Sequence, residues 1–393
     1  MTRIAADVLF SSTLPSVAQY DSIAASALVR AIDKYTAEDY QGAIQEFKRS
    51  IALSPYSETS LKAYEYLANT LAKTGKTDEA IKTCQQAIRS FPSADGMNLA
   101  LGNLFYGKGQ YANAVVQYKT AVQKNPSANQ NVYSLGQGYL AVGRYTEAEV
   151  QFKRAIQISP KESGGYYGLG QTYRKMGRLD DAQVQLEKAL SIKNNFPDAH
   201  YELGFVYNEK GKTDQTKAEL NALGEEDATE LYTQLQDRIY QTSKPKFSGV
   251  YSSGLDLTLP TRTKVSSLDP SLKTPGEKSE FTVNFVFSKE MDTLSVQNMT
   301  NWIISRSTES RTGGLYNWGQ RTESDVNVPT TPANIVYDPN THTAKVTFSI
   351  RQNDTGDGTI DLSHLAFRFS GRDEYDNMMD TSGDEYNSFS KIV

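Results

Sequence analysis

Leucine and small residues recur at a fixed spacing through the first part of the chain. Between residue 61 and about residue 230, a leucine returns every 34 positions and is followed each time by alanine or glycine. A further glycine stands eight positions after each leucine. A fixed period of this length is typical of a solenoid of stacked units, not of a catalytic core. The leucines are Leu67, Leu101, Leu135, Leu169 and Leu203.

The spacing within one unit predicts two helices. Leu101 and Phe105 lie on one face of a first helix, and Gly109 ends that helix because glycine adopts a left-handed backbone without a steric penalty. Apolar residues then recur at i, i+3, i+7 and i+10, which predicts a second helix, and Pro126 closes the unit. One such helix pair leaves its apolar face uncovered, so neighbouring units must stack. We predict five good units, a degenerate unit before them, and a capping helix around residues 228–241.

The pattern changes after residue 249 from helical periodicity to alternation. The segments 281–287, 344–350 and 365–369 alternate apolar and polar residues, which predicts β-strands separated by Pro, Gly, Asn and Asp turns. Short strands with regular turns are typical of an all-β sandwich. The predicted fold class is therefore multidomain α plus β, a helical solenoid followed by a sandwich. The predicted parts are an N-terminal arm at 1–21, a solenoid with its capping helix at 22–241, a linker at 242–249 and a sandwich at 250–393.

The repeated positions resemble the tetratricopeptide repeat, with its small, aromatic, alanine and proline places. The resemblance extends over about residues 24–230 and is most specific at 61–215. In that family the first helix of each unit lines a concave groove that holds a partner, so the resemblance implies a groove here at the fifth, ninth and twelfth places of each unit. The implied groove residues are Asn69, Asn103, Tyr106, Tyr133, Gln137, Tyr167, Gln171, Arg174, Tyr201 and Asn208.

Tyrosines and amides dominate these groove positions. Amides hydrogen-bond the main chain of a peptide, and tyrosines supply contact area at low entropic cost, so the set favours an extended protein or peptide segment as ligand. The alternative is that these side chains only pack between neighbouring first helices. Family members that grip the carboxylate tails of chaperones need a lysine where this chain has Glu65, which argues against that ligand.

The second part of the chain, about residues 245–393, contains the motifs Phe285-Val-Phe-Ser-Lys-Glu-Met-Asp292, Asn301-Trp302-Ile303 and a turn before the strand at 344–350. With these motifs it resembles the bacterial immunoglobulin-like domains of surface-layer and adhesion proteins. Asp376 departs from the family, which has glycine before the following asparagine. Such domains are mostly spacers or adhesive modules outside the cytoplasm, so the resemblance implies a tethering role there.

The N-terminal residues bear on location. The first 21 residues contain Arg3 and short apolar patches but no continuous apolar segment, so they do not predict a secretory signal peptide. We therefore expect an extracellular or cell-surface location reached by a route other than Sec, with a cytoplasmic location as the alternative.

Composition excludes several function classes. The net charge of −5 gives no electrostatic case for nucleic acid, and the apolar runs are too short to span a bilayer. The single cysteine, Cys84, falls where later units have Tyr118 and Phe152, which predicts a buried packing residue and not a nucleophile. No nucleotide-binding, nucleophile or zinc-protease motif occurs. We therefore predict that the protein is not an enzyme.

One loop has the spacing of a calcium site. Asn353, Thr355, Asp357 and Asp361 place oxygen atoms at alternate positions around a glycine turn, as in calcium-binding loops. His364 stands where such a loop has its bidentate glutamate. Two interpretations stay open, a Ca²⁺ site and a plain loop between strands, and no other cofactor is predicted.

Together these patterns predict a non-enzymatic bacterial scaffold for protein–protein interaction. The repeat groove would bind a partner protein or peptide, and the sandwich would tether or position it at the cell surface. The alternative is a self-assembling structural subunit of a surface appendage or extracellular filament, because helical stacks can pack end to end and edge strands can pair.

Overall fold

The structure, a computed structural model, describes residues 16–308, 315–387 and 391–392. The chain divides into two compact units after Leu235. We refer to them as the helical unit and the β unit. Of the predicted N-terminal arm, residues 1–15 lie outside the described residues, and residues 17–21 already belong to the first helix, which is capped by Ser16.

Helices alternate with short turns from Val17 to Thr242. Paired helices form each of the five predicted units, preceded by one earlier pair and followed by a single last helix. The helices are α1 Val17–Thr36, α2 Tyr40–Leu53, α3 Glu58–Lys73, α4 Thr77–Ser90, α5 Asp95–Gly107, α6 Tyr111–Lys124, α7 Asn129–Ala141, α8 Tyr145–Ile158, α9 Ser163–Lys175, α10 Leu179–Ile192, α11 Pro197–Glu209, α12 Thr213–Glu225 and α13 Thr229–Thr242.

A left-handed glycine ends the first helix of each unit. Gly109 has φ +71°. Its N–H donates to the Tyr106 carbonyl, and the N–H of Gln110 donates to the Phe105 carbonyl, each at 2.9 Å. This pair of bonds satisfies carbonyls that the helix end would otherwise leave unpaired. The same left-handed backbone occurs at Gly75, Gly143, Gly177 and Gly211.

Small residues set the distance between the two helices of a unit. A Cβ on Gly136 of α7 would lie 2.8 Å from the Phe152 ring of α8, so only glycine lets the helices come this close without a shift. Leu135 and Phe152 are buried there, in one apolar cluster that continues from α6 to α11. The residues that repeat in the sequence are therefore those that pack the helices together. Cys84 is buried in a neighbouring cluster, as predicted.

The described part of the chain after Thr242 is built from antiparallel strands, short 3-10 turns and a short α-helix, α14 Thr293–Gln297. The sheets have the strand orders β1-β3-β6-β5, β10-β9-β8-β4 and β2-β7. The strands are β1 Phe247–Tyr251, β2 Thr263–Lys264, β3 Lys278–Phe287, β4 Trp302–Arg306, β5 Asn334–Asp338, β6 Thr343–Arg351, β7 Thr359–Ile360, β8 Leu365–Phe369, β9 Glu385–Asn387 and β10 Lys391–Ile392.

The three strands predicted by alternation form the centre of this unit. They lie in β3, β6 and β8, so the predicted β region is confirmed, and the structure shows that its sheets are antiparallel. Phe281 pairs with Phe348 across β3 and β6, and the rings of Phe348 and Phe367 lie 5.5 Å apart, which joins β6 to β8 of the other four-stranded sheet. Alternate side chains of both sheets thus enter one core. Trp302, which is 1% exposed, lies in that core.

A buried lysine anchors the start of the β unit. Lys289 is 1% exposed. Its Nζ donates to the carbonyl oxygens of Tyr240 and Ser243, at 2.5 and 3.0 Å, and lies 2.6 Å from Asp373 Oδ2.

The segment assigned above to a linker, 242–249, includes the first residues of β1.

Candidate functional site

The ten predicted groove residues all lie on the first helices of the units, α3, α5, α7, α9 and α11. Their spacing of four and then three positions puts them on one face of each helix. Asn69 and Asn103 are exposed and the other eight are half-buried. None is lost to the core, so the set remains accessible along the row of first helices. We call these ten residues the tyrosine–amide face.

The tyrosines of this face also contact the neighbouring units. The Tyr133 ring lies 5.7 Å from the Phe152 ring. A Cβ on Gly164, in the first helix of the following unit, would lie 3.4 Å from the Tyr133 ring. The Tyr167 ring lies 4.9 Å from that of Phe196, just before α11. Packing between units and exposure to a ligand are therefore combined in the same side chains.

Two glutamines bond the tyrosines one turn before them. Gln137 Nε2 donates to Tyr133 Oη at 3.0 Å, and Gln171 Nε2 donates to Tyr167 Oη at 2.8 Å. Asn103 Oδ1 accepts a 2.8 Å bond from the hydroxyl of Tyr118, on the second helix of its own unit. These bonds hold the amides in place and leave each with hydrogen-bonding capacity for a ligand.

Burial keeps three of the phenols of the face protonated. It raises the pKa of Tyr133, Tyr167 and Tyr106 above the ordinary value, since the ionised form would lose hydration. Burial likewise raises the pKa of the Glu65 carboxyl. At neutral pH the three tyrosines are therefore neutral groups that can both donate and accept hydrogen bonds.

An ion pair at the fourth unit involves a residue that the sequence pattern did not indicate. Arg174 Nε lies 2.5 Å from Glu202 Oε2, and the two side chains are only 12% and 8% exposed. Glu202 Oε1 also accepts a 3.0 Å bond from Gln171, and the Arg174 guanidinium lies 4.4 Å from the centre of the Phe205 ring. The only sequence signal was that Glu202 breaks a series of small residues at the sixth place of three preceding units, Ala100, Ser134 and Gly168.

The calcium-like loop is only partly assembled. Asn353 Nδ2 donates to Asp357 Oδ1 at 2.8 Å, and Thr355 also bonds that oxygen. Asp361 instead is buried elsewhere, where Asp361 Oδ2 accepts from the Asn317 N–H at 2.7 Å and lies 2.8 Å from His364 Nδ1. Within 16–308, 315–387 and 391–392, no group of three or more His, Cys, Asp or Glu side chains is placed to hold a metal ion. The structure thus brings together three of the four candidates and not Asp361.

Comparison with protein families identifies the helical unit. Tetratricopeptide-repeat models match residues 28–95 and 99–163, residues 139–189, and residues 170–211. Residues from about 28 to 211 are therefore tetratricopeptide repeats, a family that mediates protein and peptide interactions. None of these models reaches the β unit, and none describes a catalytic domain.

Solved structures with similar folds are distant. A tetratricopeptide repeat protein from Parabacteroides merdae is 18% identical, with a TM-score of 0.49 over 55% of this chain and 84% of that chain. Pseudomonas aeruginosa pilF is 13% identical, with a TM-score of 0.47 over 56% and 99%. YrrB, a repeat protein with an unusual peptide-binding site, is 19% identical, with a TM-score of 0.39 over 49% and 97%. No curated protein matches the sequence. Among the described helices, none is long and apolar enough to cross a membrane.

Proposed function

We propose that the chain is a non-enzymatic scaffold whose tyrosine–amide face binds an extended segment of a partner protein. The observation that carries this proposal is the row of half-buried or exposed tyrosines and amides on successive first helices, since each offers hydrogen bonds and none is buried in the core. A protein surface of neutral aromatic and amide groups suits a peptide main chain and its apolar side chains.

The face also lacks the charges that a strongly ionic ligand needs. Arg174 is already paired with Glu202, and the tyrosines beside it are neutral. Binding should therefore depend only weakly on salt, because exposed charge pairs are the interactions that salt screens most.

Binding of short peptides tests this function. A library of random short peptides is displayed and selected on the full chain, and the affinity of a selected, labelled peptide is measured by fluorescence anisotropy. We expect Tyr167→Ala/Gln171→Ala to abolish the binding of selected peptides. The matched control is Val150→Ala/Val184→Ala, at exposed positions of second helices, which should bind as the wild type does. Peptides bound equally well by the Tyr167→Ala/Gln171→Ala variant would contradict the proposed function.

The β unit is proposed to tether or position the repeats at the bacterial cell surface. Support comes from its antiparallel sheets with one shared core and from the sequence resemblance to surface immunoglobulin-like domains. Fractionation of native cells with immunodetection of this chain tests the location. Signal in the medium or on sheared surface material supports it, and confinement to the cytosol contradicts it.

One observation favours self-assembly as a second candidate function. Among the described strands, β5 forms the edge of its sheet, and its Val336 is 52% exposed. Exposed edge strands pair with other chains unless charges or bulges prevent it. Light scattering over a range of protein concentrations should show growing particles that Val336→Lys abolishes. A constant monomer mass would exclude this candidate.

A further inference from the structure

One amide of the tyrosine–amide face has an orientation that its neighbours fix. Gln171 Nε2 lies 3.0 Å from Glu202 Oε1 and 2.8 Å from Tyr167 Oη. An ionised carboxylate only accepts hydrogen bonds, so the nitrogen of the amide and not its oxygen must face Glu202. Arg174 Nε lies 2.5 Å from the other carboxylate oxygen and pairs with Glu202 as its cation. Both N–H groups of Gln171 are therefore used, and its Oε1 is left as an acceptor.

The hydroxyl of Tyr167 is oriented as a hydrogen-bond donor, which complements the acceptor oxygen of Gln171. Because it accepts from Gln171, its own hydrogen points elsewhere, and no residue in the described part of the chain accepts it. Burial raises the pKa of Tyr167, so this hydrogen stays in place at neutral pH. The fourth unit thus presents one donor and one acceptor side by side.

We propose that Tyr167 and Gln171 bind the main-chain carbonyl and N–H of a single residue in an extended peptide. A residue in a strand presents these two groups on the same side, as in a hydrogen-bonded antiparallel pair. The segment that binds is uncharged at this point, because Arg174 is paired with Glu202 and stacked on Phe205. Glu202 and Arg174 act as positioning residues. This inference rests on the proposed function and deepens it.

The third unit supplies a matched comparison within the same chain. Gln137 makes the same bond to the tyrosine one turn before it, at 3.0 Å. Among the described residues, however, no carboxylate contacts Gln137. Its amide can therefore turn end for end and offer either its oxygen or its nitrogen. Only the fourth unit should demand an N–H from the ligand.

Methylation of peptide nitrogens tests this demand. The probe is the labelled peptide selected above, resynthesised with one N-methyl group at each position in turn. We expect one position at which methylation weakens binding to the wild type by roughly tenfold or more, the loss of one buried hydrogen bond. In Gln171→Leu, which binds more weakly, methylation at that position should change little further. In Gln137→Leu the full methylation penalty should remain.

The role of Glu202 needs its own variant. Arg174→Met/Glu202→Gln removes both charges together, so no buried charge is left unpaired. Because the amide introduced by Glu202→Gln can donate as well as accept, Gln171 would be free to turn. We expect this variant to fold, as checked by a thermal melt, and to lose most of the discrimination against the N-methyl peptide. Unchanged discrimination in a folded variant would overturn the positioning role.

The outcomes separate this inference from the proposed function. If no selected peptide loses binding to Tyr167→Ala/Gln171→Ala, the proposed function fails and the inference fails with it. If peptides depend on the face but no methylation penalty is removed by Gln171→Leu, only the inference is overturned.

Discussion

The helical unit and the β unit encode their structures differently. In the helical unit the same structural role recurs at the same position of every repeat. Five glycines at one repeat position have a left-handed backbone, and five leucines at another repeat position are buried. In the β unit each contact occurs only once and joins residues that are far apart in the sequence, as when β3 pairs with β6. Repeated local information is visible as a pattern, whereas the partner of a strand is not.

The two units also differ in how they bury charge. Among the described residues, the lysine or arginine ion pair with both side chains less than a tenth exposed is Lys289–Asp373, in the β unit. The helical unit relies on apolar side chains and close helix contacts, and its most buried pair, Arg174–Glu202, is slightly more exposed. Buried charges tie a fold to particular partners, and losing one partner is costly. The β unit should therefore be the more sensitive to single polar substitutions.

The largest effect is expected from Lys289→Met in the β unit. It leaves Asp373 buried without its cation and removes the ammonium bonds to the carbonyls of Tyr240 and Ser243. We expect the free energy of unfolding of this unit to fall by about 3–5 kcal/mol. Denaturant titration followed by tryptophan fluorescence measures it selectively, because both tryptophans of the chain, Trp302 and Trp318, belong to the β unit.

A double variant distinguishes lost charge compensation from lost packing. Lys289→Met/Asp373→Asn leaves no unpaired charge, so part of the lost stability should return. If Lys289→Met alone unfolds at the wild-type midpoint, the buried pair contributes nothing, and the proposed difference between the units is wrong.

The next effect concerns the repeated leucines of the helical unit. Leu135 is 3% exposed in the middle of the stack, and Leu135→Ala leaves a cavity there. We expect a loss of about 2–5 kcal/mol, measured by far-ultraviolet circular dichroism during denaturation. Val150→Ala, at a position 56% exposed, should change stability by no more than about 0.5 kcal/mol. Equal losses from the two variants would contradict the repeat register.

The fold could be predicted from the sequence where structural positions repeat, and much less where they do not. Turn glycines, buried leucines and the faces of the first helices follow from a 34-residue period, because helix geometry and packing are the same in every unit. Alternation predicted that strands exist after residue 249, but neither their order nor their register. It also missed that Asp361 turns inward to His364, since a loop's sequence does not say which side of the loop becomes buried.

Prediction of the candidate site had the same limit. The register placed ten side chains on one accessible face, because a helical period fixes a direction. It did not reveal that Glu202 joins Gln171 to Arg174. That contact joins two units and, among the first helices, occurs only between α9 and α11, so no repeated sequence pattern predicts it.

A smaller effect tests whether turn positions are equivalent in energy. Gly143 and Gly177 have φ +76° and +74°, and a Cβ on either would meet no atom within 4 Å. Gly143→Ala and Gly177→Ala should therefore each cost only the left-handed backbone penalty, about 1–2 kcal/mol. Gly107→Ala is the matched control, since Gly107 also has open space but ends α5 without a positive φ. It should be neutral or slightly stabilising. Clearly unequal losses at Gly143 and Gly177 would show that the repeats are not energetically equivalent.

The smallest effect is a pH dependence from one polar contact in the helical unit. His200 Nδ1 lies 2.6 Å from Glu219 Oε2, and its Nε2 lies 3.0 Å from the Asn194 carbonyl and 3.7 Å from Glu226 Oε1. The hydrogen bond to Glu219 raises the pKa of His200, and the Asn194 carbonyl and the two carboxylates add to this shift. The imidazolium therefore stabilises the folded state fully below about pH 6.5, the ordinary histidine pKa. This stabilisation is lost as the pH rises through the higher folded-state pKa. Circular dichroism melts across this range should show wild-type stability falling more steeply with pH than that of His200→Gln, and parallel pH profiles would contradict the contribution of His200.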